Sequence, residues 1–397
     1  MKINNPTDQY RWIILIIVYL SILAFALLFQ SIPPILPLIA FDLHLTYAQS
    51  GLLMSLFALP GIFASFLGGF LSDRYRMKPL GLACLCIMVG GTLLVGWGRN
   101  FWIMWSGRII AGIGGFTLST LLPKLLSQWF KDRELGLAMG VFNTGIPLAA
   151  VICFGTFGKI GTLWGWRIPI LLTGIYSFIA FIFFLRCCRL PSPQEIERSG
   201  SPGMTTSLKK MGSPILGAGL SWLWFNAGLI SFSTFAPTFF LQHGYTIEQS
   251  DLLIGIPFLG SLFLSAPIGY LIDRIKHQEW FIGMGGLVLS ILAFCFNFDS
   301  AFLLLIILMS IFVAFIPAPI YSLPPEVMRP ENVGLGFGII SSCSGIGIFV
   351  GPYLVGKAKD LTGSDFWSFL LISIFFLFAM ISIAFTYFSR NKQSLRK

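Results

Sequence analysis

Charge is scarce in this sequence: Asp, Glu, Lys and Arg make up 11% of its 397 residues, against about 25% in a soluble domain. Histidine is scarcer still. His44, His243 and His277 stand far apart, in or near polar connecting stretches, which argues against an enzyme that would gather His, Asp and Glu at membrane depth. The seven cysteines are odd in number, lie in or beside apolar stretches and show no metal-ligand spacing, so neither a disulfide framework nor a metal site is expected. No cofactor is expected either. The glycine cluster at Gly112, Gly114 and Gly115 lacks the preceding strand and following Lys-Ser/Thr of a nucleotide loop. No Asp or Glu falls well inside an apolar run, which leaves a proton exchanger of cationic drugs without the carboxylate it would need.

What is abundant is apolar surface. Hydrophobic residues make up 56% of the chain and aromatic residues 15%, with a mean hydropathy of +0.83. A helix crossing a bilayer needs about 20 apolar residues, and backbone in lipid must satisfy its own hydrogen bonds, which leaves helix bundles or closed barrels. The apolar runs here are too long for barrel strands. Twelve can be marked, at 12–40, 47–71, 79–98, 101–127, 136–158, 164–187, 213–241, 248–272, 279–298, 300–325, 333–357 and 366–389. The fold class is therefore all-α integral membrane, with twelve transmembrane helices. Pro33, Pro34 and Pro37 are expected to distort the outer half of the first run, and Pro317, Pro319, Pro324 and Pro325 to break the tenth.

The formal net charge of +10 reflects topology. With the N-terminus placed in the cytoplasm, 19 of the 26 Lys and Arg residues fall on the cytoplasmic side, as the positive-inside rule requires. Both termini are thus expected inside, in a multi-pass inner-membrane protein whose surroundings are lipid and whose partners include no nucleic acid. Met1 to Arg11 is short and polar, and the run after it is too long for a signal-peptide core, so it is expected to remain as the first span.

The chain repeats itself. Gly69 to Lys78 reads GFLSDRYRMK and Gly269 to Lys276 reads GYLIDRIK, and at the same 200-residue offset Pro37, Thr46, Gln49, Ser50, Leu52 and Leu53 match Pro237, Thr246, Gln249, Ser250, Leu252 and Leu253. An internal duplication explains all of these in one frame. It divides the chain into two pseudo-symmetric six-helix halves, 1–187 and 213–397. The polar, Pro- and Ser-containing stretch 188–212 serves as a cytoplasmic linker between them.

Within the runs a few polar residues stand out. Arg108 lies about seven residues inside the fourth run, where a cation is costly and usually faces the bundle interior or water. Gln30, Asn143, Asn226 and Tyr321 are further candidates for contact with a solute or proton. Gly112, Gly115, Gly140 and Gly145 are expected to allow close helix packing.

The chain resembles the major facilitator superfamily over essentially its whole length. That family's loop pattern between spans 2 and 3 is G-x-L-x-D-R-x-G-R-K; Gly69, Leu71, Asp73, Arg74 and Lys78 fit it, whereas Arg76 and Met77 depart from it. The Arg108 to Gly115 stretch looks like the family's span-4 pattern R-x-x-x-G-x-G. The resemblance implies alternating access around one cavity between the halves, gated by Gly69, Asp73, Arg74 and Lys78 and by their counterparts Gly269, Asp273 and Arg274. The span-5 pattern of drug/proton antiporters is missing at Gly145 to Ala150, and the arginines of the nitrate branch are missing from spans 2 and 8. The stretches Trp129 to Gly140 and Trp164 to Gly174 look like those of organic-anion and cyanate-type members. The expected function is transport of a small anion by proton-coupled symport, as a monomer. The alternative is proton-driven efflux of amphiphilic compounds.

Overall fold

In the computed structural model the described residues are 6–63, 77–130, 135–189, 213–275, 278–298, 301–328 and 333–394. In chain order they form α1 (Pro6–Gln30), a 3-10 turn (Pro33–Ile35), α2 (Leu36–Asp42), α3 (Tyr47–Ser55), α4 (Met77–Trp97), α5 (Phe101–Trp129), α6 (Leu135–Asn143), α7 (Gly145–Trp164) and α8 (Arg167–Cys187). There follow α9 (Ser213–Gln242), α10 (Ile247–Ile275), α11 (Gln278–Cys295), α12 (Phe302–Val313), α13 (Pro317–Val327), α14 (Val333–Thr362) and α15 (Asp365–Ser394). Among the described residues 11 helical stretches are long and apolar enough to cross a membrane. The remaining apolar run begins as α3, turns at 56–58 and is helical again to residue 63, where the description stops. The fold is an all-α membrane bundle.

Proline accounts for two of the breaks. Pro33 and Pro34 have no N–H to donate, so α1 ends at Gln30 and the first span resumes through the 3-10 turn into α2. The tenth span divides into α12 and α13 where Pro317 starts a new helix. The duplicated Thr-x-x-Gln pairs are helix starts. Thr46 accepts from the Gln49 N–H while the Gln49 side chain accepts from the Thr46 N–H, and Thr246 and Gln249 repeat the arrangement at α10. Each such capping box satisfies two backbone donors that a helix terminus otherwise leaves open.

Two apolar cores hold the bundle together. One draws on residues 14–188 and takes only Ile230 and Ile348 from the rest of the chain. The other spans 218–383 and takes Ala150 and Phe154 from the first half. Of those four, Ile348 on α14 and Ala150 and Phe154 on α7 belong to helices at the two seams where the cores meet, and Ile230 lies on α9. Along one seam α3 lies against α14: Gly51 faces the Pro352 carbonyl, Gly356 faces the Tyr47 carbonyl, and Gly345 faces the backbone of Ile62. Along the other, α7 lies against α10, with Phe154 stacked on Phe258 at 5.7 Å.

The α3–α14 seam is locked at the face opposite the chain ends, hereafter the far face. Asp360 accepts from the N–H groups of Tyr47 (2.8 Å) and Ala48 (2.7 Å), more than 300 residues away. A carboxylate at a helix start takes up orphaned donors and opposes the positive end of the helix dipole. Lys359 lies over the Tyr47 ring at 4.4 Å and pairs with Asp365. The cross-half hydrogen bond from Ser342 to the Ile62 carbonyl, 3.2 Å, lies deeper in the bundle.

Candidate functional site

Arg108 sits about 10 Å below the far face, given 1.5 Å per residue from Phe101, and is 1% exposed. Its guanidinium donates from Nε to the Leu53 carbonyl (3.0 Å), from Nη1 to the Leu28 carbonyl (2.9 Å) and from Nη2 to the Met54 carbonyl (3.5 Å). These acceptors flank the breaks in the first and second spans, where α1 and α3 end and the helical ladder stops. The Phe57 ring covers the guanidinium at 4.5 Å, within a cluster that also holds Phe25, Phe29 and Phe116.

Magnitudes decide what this side chain does. A central arginine costs about 2.5–3.5 kcal/mol on insertion scales, while each hydrogen bond to a charged group returns about 1.5–3 kcal/mol, and the aromatic face adds to that. The two short bonds already offset the insertion cost. Arg108 is therefore a clamp that bonds carbonyls at the ends of two broken helices, with its donors directed at main chain; the Leu28 carbonyl also accepts from the Ser31 hydroxyl at 2.9 Å. Its positive charge has no carboxylate partner among the described residues.

The other sequence candidates fall into two groups. Gln30 ends α1, two residues past the Leu28 carbonyl held by Arg108; it is 1% exposed, and neither its amide oxygen nor its amide nitrogen has a hydrogen-bond partner. Asn143 is exposed at the end of α6. The adjoining Thr144 hydroxyl lies 3.2 Å from the Tyr19 hydroxyl, which ties that joint to α1. In the second half, Asn226 donates to the Trp222 carbonyl at 2.7 Å. Trp222 meets the ring of Tyr321 edge-on at 5.5 Å, and Tyr321 stacks on Phe337 at 6.3 Å. Tyr321 is held between these rings yet remains 42% exposed. The structure thus brings Gln30 near the Arg108 clamp, and Asn226 near Tyr321. A separate recess of about 250 Å³ lies at the far face among Leu36, Pro37, Tyr47, Ser50, Phe235 and Thr238, and no sequence candidate lines it.

The four glycines differ. Gly112 meets the Phe57 carbonyl so closely that a Cβ would collide with backbone; Gly115 faces the Phe25 and Phe57 rings, and Gly145 faces Ile22. Gly140 meets nothing among the described residues within 4 Å of where a Cβ would stand, so none of them makes a close approach there. Gly69, Asp73 and Arg74 lie outside the described residues, and Lys78 is half-buried near the start of α4. Gly269 and Asp273 fall on the last turns of α10, where Arg274 is exposed.

Sequence reasoning missed Asp251. It stands three residues past the start of the run 248–272, yet it is 1% exposed and both carboxylate oxygens lack a partner. The signal was the repeat itself: within the matched Thr-x-x-Gln-Ser-x-Leu-Leu, Gly51 is answered by Asp251.

Two apolar cores of membrane-crossing helices thus meet along two seams and hold polar groups at depth. The chain belongs to the major facilitator superfamily: its sequence matches the model of that family over residues 18–296 and again over 226–397. It is 25% identical over 378 residues to a hexuronate transporter of Bacillus subtilis (strain 168), covering 87% of each chain. It is 22% identical to a probable sulfoacetate transporter of Cupriavidus necator, covering 83% of this chain and 82% of the other. Its fold superposes with a TM-score of 0.79, at 15% identity and over 96% and 97% of the two chains, on a bacterial homologue of the human lysosomal transporter Spinster in an inward-facing, unoccupied conformation.

Proposed function

We propose that this transporter carries a small organic anion across the inner membrane by proton-coupled symport, with both chain termini cytoplasmic and the far face outside. The observation that carries the proposal is the buried Arg108 charge without a carboxylate partner among the described residues. In a low-dielectric interior such a charge sets a positive potential, which draws an anion into adjoining space. Carboxylate and sulfonate substrates in the names of two relatives, a hexuronate and a sulfoacetate, agree with this.

In this proposal Arg108 supplies field and shape, and direct contact falls to other groups. Gln30 offers a donor and an acceptor that no described protein group takes up, and Tyr321, held between the Trp222 and Phe337 rings, is the candidate from the opposite half. Residues 1–187 and 213–397 act as the two moving halves, joined by 188–212. The Gly69–Lys78 loop and its counterpart at 269–274 steady one end of the cycle, and the far-face seams described above steady the other. One chain contains a complete pathway.

The test is uptake of radiolabelled glucuronate, galacturonate and sulfoacetate into proteoliposomes, with and without an inward proton gradient. Wild type is expected to accumulate at least one of these only with the gradient. Arg108→Ala is expected to lower uptake by about tenfold or more, the equivalent of one lost charge interaction of about 1.4 kcal/mol. No anion uptake, together with extrusion of an amphiphilic dye that survives Arg108→Ala, would replace this proposal with the efflux alternative.

A further inference from the structure

Asp251 is a carboxylate built into a seam between two moving bodies. It stands in the second turn of α10, with its carboxylate pressed so close to the Gly158 Cα on α7 that any side chain at residue 158 would have to displace it. It is 1% exposed and has no hydrogen-bond donor. The elements around it offer no counter-charge. Neither α9 nor α12 contains an ionisable residue. On α7 the ionisable groups are Cys153, whose thiol donates to the Leu27 carbonyl at 3.7 Å, and Lys159, which is exposed and forms no ion pair with Asp251. The ionisable groups of α11 and α13 are Glu279 and Cys295, and Tyr321 and Glu326; α10 itself adds Glu248, Tyr270, Asp273 and Arg274. None of the described side chains among them pairs with Asp251.

An ionised carboxylate buried without partners costs far more than the seam can supply, and such a group neutralises by taking a proton. The repeat shows that packing does not require the acid. At the equivalent place in the other seam, Gly51 lies against the Pro352 carbonyl, and the carboxylate of that seam, Asp360, is satisfied by the Tyr47 and Ala48 N–H groups. Asp251 is an addition to the symmetric plan, and what it adds is a proton requirement.

We propose that Asp251 is a proton-operated latch of the far face: it is protonated and buried while the α7–α10 seam is closed, and ionised in water when the seam opens. Closure then binds one proton from the far side, and reopening returns it there. The group regulates the conformational equilibrium and is not the ion carried across. Acid at the far face holds it shut, and alkali releases it. One proton bound on closure allows at most a tenfold change in the closed-to-open ratio per pH unit. The identity of the far face as outside rests on the function proposed above; the latch itself does not.

The test needs no substrate. Spin labels would be placed at Leu163→Cys and Leu361→Cys, both exposed far-face positions on opposite halves, in an otherwise cysteine-free chain in nanodiscs. Distance distributions would be measured by pulsed electron–electron resonance from pH 5 to pH 8. The short, closed-state distance is expected to lose population as pH rises. Asp251→Asn, neutral at every pH, is expected to keep the closed distance at pH 8 and to flatten the profile. Gly158→Ala, which displaces the carboxylate, is expected to favour the long distance at all pH values and guards against a misfolded Asp251→Asn. An unchanged pH profile in Asp251→Asn, or closure in wild type that ignores pH, would overturn the latch and leave the anion-transport proposal standing. Anion uptake that fails while the pH profile holds would do the reverse.

Discussion

At the scale of single residues, Arg108 shows how burial and bonding together set a role. A guanidinium reaches carbonyls on two different helices with five donors spread over a rigid plane, whereas the three donors of an ammonium radiate from a single nitrogen and span less distance. Arg108→Lys therefore keeps the charge but gives up donors to the Leu53 and Met54 carbonyls at the break of α3, at about 1–3 kcal/mol for each one left unsatisfied. We expect both Arg108→Lys and Arg108→Ala to lower the thermal midpoint in detergent, Arg108→Ala by more; equal midpoints across all three proteins would show that the clamp has no structural weight. Gly112 is the matching test of close approach. Its missing side chain lets α5 rest on the Phe57 carbonyl, so Gly112→Ala should cost about 1–3 kcal/mol through forced backbone movement. The same substitution at Gly140, where space is open, should leave the midpoint unchanged. The intramembrane position of Arg108 was legible in the sequence; its partners were not, because they are main-chain atoms exposed by breaks in other helices.

At the scale of elements, helix ends carry much of the specificity. The capping boxes at Thr46 and Thr246 were visible as a repeated Thr-x-x-Gln, and their removal is a local loss: Thr246→Ala should cost about 1 kcal/mol, read from faster amide exchange across the first turns of α10. Asp360 is different because it caps α3 from the other half of the chain. Asp360→Ala should leave the midpoint near that of wild type but raise amide exchange over 47–55, since the far face opens more often. Exchange unchanged in that segment would mean that the seam closes without the cap. Nothing in the sequence pairs residue 360 with residue 47. That pairing arises only when α3 and α14 lie side by side.

At the scale of the whole molecule, the two seams are the surfaces on which the proposed halves would move against each other. Gly51 lets α3 meet the Pro352 carbonyl, and a large ring there would wedge the seam. Gly51→Phe should insert and purify as wild type does, yet lose transport by roughly an order of magnitude or more because the far face no longer closes. Uptake in proteoliposomes, set beside the label distances proposed for Leu163 and Leu361, checks both parts. Wild-type uptake in that variant would show that this seam need not close during the cycle.

By itself the sequence determined the all-α membrane class, the duplication, the proline breaks and the family, because hydropathy, periodicity and short motifs are local quantities that lipid reads directly. Only the tertiary structure decided that Arg108 is a clamp, that Asp251 is buried, and that Asp360 locks α3. Each of those depends on which helix comes to rest against which, and a residue near the end of its own apolar run can still be sealed from water by a neighbour.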